Sequence, residues 1–166
     1  MQMGLLDRLK FLLINHEPEI IATVQSLTET YPTPRDVYAC MLSRIETELE
    51  GGRDVAYAVF QHQENDKVFV QIIRCRREHN GALLNFAYPH QREPGQLLSE
   101  LGIEFSGDCH LVKWQPRQNA TYDWTNCPSH LEMAQVVEDL FAKVLGMPAD
   151  FVVRGEVRVQ DIPGED

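Results

Sequence analysis

The chain has no C-x-x-C pair, no glycine-rich phosphate loop, no apolar run long enough to span a membrane and little positive charge, and each absence removes a class of protein. Fifteen Lys and Arg stand against 25 Asp and Glu, a formal net charge of −10, which opposes binding to nucleic-acid backbones or anionic lipid. The one basic cluster, Arg74, Arg76 and Arg77, runs straight into Glu78. Cys40, Cys75, Cys109 and Cys127 are too widely spaced for a zinc ribbon or a disulfide framework and read as buried free thiols of a reducing cytoplasm. The apolar start is short and broken by Asp7, Arg8 and Lys10, so it reads as an amphipathic helix and not as a signal or a span. The sequence therefore leads us to expect a cytoplasmic chain with no nucleic-acid partner and no membrane partner.

What is present is ordinary globular material. Hydrophobic residues make up 43% and charged residues 24% of 166 residues, which suits one domain with one core. Leu5, Leu6, Leu9, Leu12 and Leu13 recur at helical spacing, and Pro18 sits where a first helical turn tolerates it, ahead of "EIIATVQSLTETY". The segment 1–31 is thus expected to be helical. Val37, Met41, Leu42, Ile45 and Leu49 trace one face of a further helix that Gly51 and Gly52 end. Residues 54–89 read as a three-strand meander broken at "QEND" and at "HNG", the latter suited to a type I′ turn. Its first strand is apolar or small on both faces and belongs inside the sheet.

"PGQLLSELG" reads as a short helix, "CHLVKWQ" as a fourth strand and "PRQNATYDWTNCPS" as an irregular connection. A last helix follows. Ser129 caps it, Glu132 completes a capping box, and Gly146 with Pro148 stops it. Its stripe of Met133, Val137, Leu140, Phe141 and Val144 is expected to lie on the sheet. "FVVRGEVRVQ" alternates Val153, Gly155, Val157 and Val159 with Arg154, Glu156, Arg158 and Gln160, the pattern of a half-buried edge strand guarded by charge. The fold class is α+β: a twisted antiparallel sheet of about five strands, meander first, with helices packed on one face. The expected organisation is one domain over 1–166, with a leading helical segment 1–31, a core over 35–152, and an extra edge strand and loose tail over 153–166.

Chemistry is harder to find. Of the six histidines (His16, His62, His79, His90, His110 and His130), no two form H-x-x-x-H, and Cys109 and His110 point to opposite sides of a strand. No metal and no cofactor are expected, and no catalytic residue stands out. Glu138 and Asp139 diverge around their helix and read as a solvated face. Trp114, Tyr122 and Trp124 admit two readings, a seal over the end of the core or a set of interface anchors. On the second reading they join Leu5, Leu9 and Leu12 as candidate partner-binding residues.

The order helix, meander, short helix, strand, long helix resembles the YbjN-like proteins and the class I type III secretion chaperones. The resemblance rests on "VYACMLSRIETEL", the hairpins around "QEND" and "EHNG", "GQLLSELGIEF" and "HLEMAQVVEDLFAKVLGMPADF". It implies a small chaperone-like α+β fold and acidic homodimers that hold a partner chain in extended form. The function expected is a non-enzymatic module binding a protein, a peptide or its own twin. The alternative is a small hydrolase or transferase using a Cys or His in a cleft near Trp114 and Trp124.

Overall fold

The computed structural model describes residues 17–77 and 81–161, and among these described residues there are seven strands and three helices. The strands are β1 (Glu19–Gln25), β2 (Val55–His62), β3 (Asn65–Cys75), β4 (Ala82–Ala87), β5 (Cys109–Gln115), β6 (Asn119–Trp124) and β7 (Val153–Gln160). They form one open sheet in the order β1-β7-β2-β3-β4-β6-β5, antiparallel throughout. The helices are α1 (Pro34–Glu50), α2 (Pro94–Glu100) and α3 (His130–Asp139), the last continued by a π turn over Leu140–Val144.

Three expectations are corrected. "EIIATVQ" is strand β1 and not helix. Ile20, Ile21, Thr23 and Val24 are β-branched, a class that fits a pleated surface better than a helix, and β7 supplies the ladder. Ser26 closes that ladder: its N–H donates to the Val153 carbonyl at 3.0 Å, and its hydroxyl accepts from the Val153 N–H at 3.0 Å. The supposed irregular connection before the last helix contains β6, which pairs with β4 on one side and β5 on the other. Finally, β7 is not an edge. It lies between β1 and β2, so the two edges are β1 and β5 and the strand count is seven rather than about five. The meander, the interior place of β2, the short helix and the last helix stand as expected. The "HNG" turn and the leucine-rich start lie outside the described residues.

Capping fixes where the long helices begin. At α1 Thr33 and Asp36 form a reciprocal capping box: the Asp36 N–H donates to the Thr33 hydroxyl at 3.2 Å, and the Thr33 N–H donates to the Asp36 carboxylate at 3.0 Å. Pro34 occupies the first turn, where its missing N–H costs nothing. At α3 Ser129 accepts from the Glu132 N–H at 3.3 Å, the capping half of the expected box. After Asp139 the helix widens, with the Leu145 N–H reaching back to the Leu140 carbonyl at 3.0 Å, and Gly146 at φ 68° turns the chain out.

The main core lies between the helices and one face of the sheet. Met41, Leu42 and Ile45 of α1, Leu98 of α2, and Met133, Val137, Leu140, Phe141 and Val144 meet Ala58, Phe60, Ile72, Leu84, Phe86 and Val157 there. Helix α1 comes closest to the sheet over β7. A methyl group at Gly155 would stand 2.8 Å from a Val37 methyl and 3.4 Å from the Phe60 ring, so this position is empty to let the helix down. Phe141 sits against Tyr38 (5.7 Å between centroids) and Phe151 (5.0 Å) and is 1% exposed. Phe141→Ala is expected to cost about 3 to 5 kcal/mol in a urea melt. A change below about 0.5 kcal/mol would put the ring outside the core.

Candidate functional site

Among the concavities lined by described residues are a larger and a smaller one beside α1. The larger, about 540 Å³, is lined by Glu46, Leu49, Glu50, Arg74, Cys75 and Arg76. Its charges answer one another: Arg74 approaches Glu46 at 3.7 Å and Arg76 meets Asp54 at 3.0 Å. The smaller, about 380 Å³, lies where the first turn of α1 faces the π turn and the loop behind it. Its walls are mainly apolar, from Pro34, Tyr38, Ala142, Met147, Pro148 and Phe151, with Thr33, Arg35 and Glu138 at its polar positions. Arg35 and Glu138 are 4.0 Å apart and both well exposed, a weak, solvent-screened pair.

This cleft is the better candidate because of Tyr38. The residue is fully buried, and its ring packs edge-on against Phe60 (5.0 Å) and flat against Phe141 (5.7 Å). Its hydroxyl has no hydrogen-bond partner. Burial, with Glu138 nearby adding to it, pushes the phenol far above its ordinary range, so it stays a neutral donor. A buried polar group without a partner costs about 1 to 3 kcal/mol and calls for an explanation. The π turn beside it adds weight, since such interruptions are frequent at functional sites. A cleft with mainly apolar walls and charged residues among its lining can take a small apolar group.

The residues singled out in the sequence lie elsewhere. Trp124 is fully buried on β6, and its indole N–H donates to the Ser106 carbonyl at 2.7 Å. Tyr122, two residues earlier, is also buried and stacks on Phe86 at 6.0 Å. Both are buried in the single chain, where they pack into the core at the β5–β6 end of the sheet. Trp114, on the edge strand β5, is half-buried and meets Tyr88 edge-on at 6.1 Å. Leu5, Leu9 and Leu12 lie outside the described residues. Sequence reasoning missed Tyr38, because a tyrosine on the apolar face of a helix reads as core, and nothing in the chain shows that its hydroxyl goes unmatched.

The enzymatic alternative needs an activated thiol or imidazole beside Trp114 and Trp124. Cys109 pairs directly with Trp124 across the β5–β6 ladder. Burial, followed by the nearby Asp123 charge, pushes its thiol up to about 12, the reverse of nucleophile activation. Burial likewise raises Cys127. The described histidines are dispersed: His90 binds the Val144 carbonyl at 3.0 Å, His62 lies against Phe151, and His130 stands 3.6 Å from Glu46. Among the described residues no three of His, Cys, Asp and Glu are grouped to hold a metal ion, and no helix is long and apolar enough to cross a membrane.

The architecture defines an α+β protein built on an open antiparallel sheet. Compared with known proteins, the chain matches no family model, no curated protein and no solved structure.

Two outcomes follow from these surroundings. Tyr38→Phe is expected to leave stability unchanged or raise it by up to about 1 kcal/mol in denaturant melts, because it removes an unmatched group; a loss beyond about 1 kcal/mol would reveal a partner for the hydroxyl. Cys109 is expected to resist iodoacetamide at pH 7 to 8 and to react only under strongly alkaline conditions, because only the thiolate attacks. Peptide mapping reads this directly, and alkylation of Cys109 in folded protein at the rate of a free thiol would contradict it.

Proposed function

We propose that the chain is a non-enzymatic protein- or peptide-binding module whose cleft between the start of α1 and the π turn receives one apolar side chain of the partner. The observation that carries this reading is the mainly apolar recess lined by Tyr38, a residue whose buried hydroxyl has no acceptor. A peptide anchor can fill the recess. Recognition of this kind combines a buried anchor with a polar rim, and Thr33, Arg35 and Glu138 provide such a rim.

A second feature suits an extended partner. Strand β5 leaves one row of backbone groups unpaired at the sheet edge, and an added strand gains main-chain hydrogen bonds there. The register shift between Leu111 and Lys113 interrupts that edge and limits a long continuous sheet, as bulges do. The resemblance to the YbjN-like proteins and secretion chaperones supports the same class of role, since it implies holding a partner chain in extended form, with a homodimer as the implied assembly. The element order on which it rests is present, with β6 inserted before the long helix.

The test is random peptide display against the immobilised full-length chain. Enrichment of peptides with an apolar anchor is expected, and Ala142→Arg, at an exposed wall of the cleft, is expected to weaken them by at least about tenfold, the equivalent of one hot-spot contact. Peptides indifferent to Ala142→Arg would place binding away from the cleft. Failure to enrich any peptide would remove the reading.

A further inference from the structure

Arg35 and Glu138 are the two charged side chains in the described lining of the cleft, and they meet there from different helices. Arg35 stands one turn before Tyr38 on α1, and Glu138 one turn before Ala142, where α3 runs into the π turn. Their heads are 4.0 Å apart and their side chains 53% and 40% exposed. That separation is beyond hydrogen-bond distance. Other arginines of this chain close fully on their partners: Arg44 reaches Glu48 at 2.9 Å, Arg53 reaches Asp161 at 2.8 Å and Arg76 reaches Asp54 at 3.0 Å.

The other polar groups at the cleft are engaged or enclosed. The Thr33 hydroxyl donates to the Asp36 carboxylate at 2.6 Å as part of the α1 cap, and the Tyr38 hydroxyl is buried. Asp139 and Lys143, neighbours in the chain of two lining residues, stand 3.8 Å from each other. Arg35 and Glu138 are thus left to read whatever polar group accompanies an apolar anchor.

A guanidinium and a carboxylate at this separation suit a group that accepts and donates side by side. A primary amide is such a group, with its oxygen and nitrogen about 2.3 Å apart at ordinary C=O and C–N bond lengths. Two hydrogen bonds of about 2.9 Å, oxygen to Arg35 and nitrogen to Glu138, close a ring over the 4.0 Å gap. A single trans peptide group points its N–H and C=O in opposite directions and does not fit. A lone carboxylate gains Arg35 but meets Glu138, and a lone ammonium or guanidinium gains Glu138 but meets Arg35; like charges brought together in this way are penalised. We propose that the pair reads the carboxamide of an Asn or Gln of the partner, carried within two residues of the apolar anchor. Two residues of extended chain span about 7 Å, the scale of a recess of about 380 Å³. The inference rests on the peptide-binding role proposed for this cleft and adds the partner's chemistry, a neutral amide beside the anchor.

The test is selection of a displayed random dodecapeptide library on the full-length chain and on variants at these two exposed positions, with circular dichroism to check that each folds. The unchanged chain is expected to enrich Asn or Gln within two residues of the anchor at least about fivefold over the library, the size of one net hydrogen bond. Arg35→Glu places two carboxylates at the cleft and is expected to turn the preference to Lys or Arg. Glu138→Arg is expected to turn it to Asp or Glu. Arg35→Glu/Glu138→Arg restores one charge of each sign and is expected to return the preference to Asn and Gln, since an amide turned over fits the exchanged pair. Anchor-bearing peptides that are sensitive to Ala142→Arg but show no Asn or Gln preference, or that carry an acid and a base together, would overturn the proposal and leave the cleft as the binding site. So would single variants that keep the preference of the unchanged chain. Peptides indifferent to Ala142→Arg, or no enrichment at all, would remove the cleft reading and this inference with it.

Discussion

The ring of Tyr38 joins the parts of this molecule that would otherwise have no reason to meet. It rests edge-on against Phe60 of β2 and flat against Phe141 of the π turn, so one side chain couples α1 to the middle of the sheet and to the end of α3. The contact requires α1 to lie low on β7, and the missing side chain at Gly155 allows it, since any Cβ there would collide with Val37. Aromatic pairs at these separations add about 0.5 to 1.5 kcal/mol beyond the area they bury. The same packing that holds the ring leaves its hydroxyl buried and unmatched, so the cleft results from the way the core is closed.

The end of α3 shows a related compromise. At 100° per residue Leu140, Phe141 and Val144 fall on one face of the helix and Ala142 and Lys143 on the others. The π turn over those five residues keeps all three apolar side chains buried and leaves Ala142 and Lys143 exposed. Past the π turn the chain turns out at Gly146 with the Met147 N–H returning to the Phe141 carbonyl at 2.8 Å, and the following loop, with Pro148 and Phe151, becomes one wall of the cleft. Backbone irregularity and recess are therefore one feature, and a partner filling the recess would press on the π turn as well as on α1.

The two faces of the sheet differ in how they are kept dry. One is closed by helices with strong start and stop signals, so its burial follows from local structure and apolar spacing. The other carries a smaller cluster interleaved with Arg158, Glu156, Asn85 and Gln71, which form their own ion pair and hydrogen bonds. That mixture explains why "FVVRGEVRVQ" resembles an edge strand: alternation of charge with valine marks one polar face, but it does not reveal where the strand lies in the sheet.

The helices from Pro34 onward and the meander were determined by the sequence itself, because caps, glycine stops, turn residues and apolar spacing act over a few residues and are written locally. Thr33 with Asp36, Ser129 with Glu132, and Gly146 are such signals. Strands β1 and β6 were decided by tertiary structure. Residues 19–25 satisfy a helical spacing and a strand composition about equally, and only the pairing with β7 chooses between them. The alternation of Ala120, Tyr122 and Trp124 with Thr121 and Asp123 was visible as a strand signal, but turn-forming neighbours masked it until β4 and β5 supplied partners on both sides. The order of the strands, the inner place of β7 and the unmatched Tyr38 hydroxyl were decided the same way. Each depends on which distant groups arrive beside a residue, and the residue's own neighbours in the chain do not encode that.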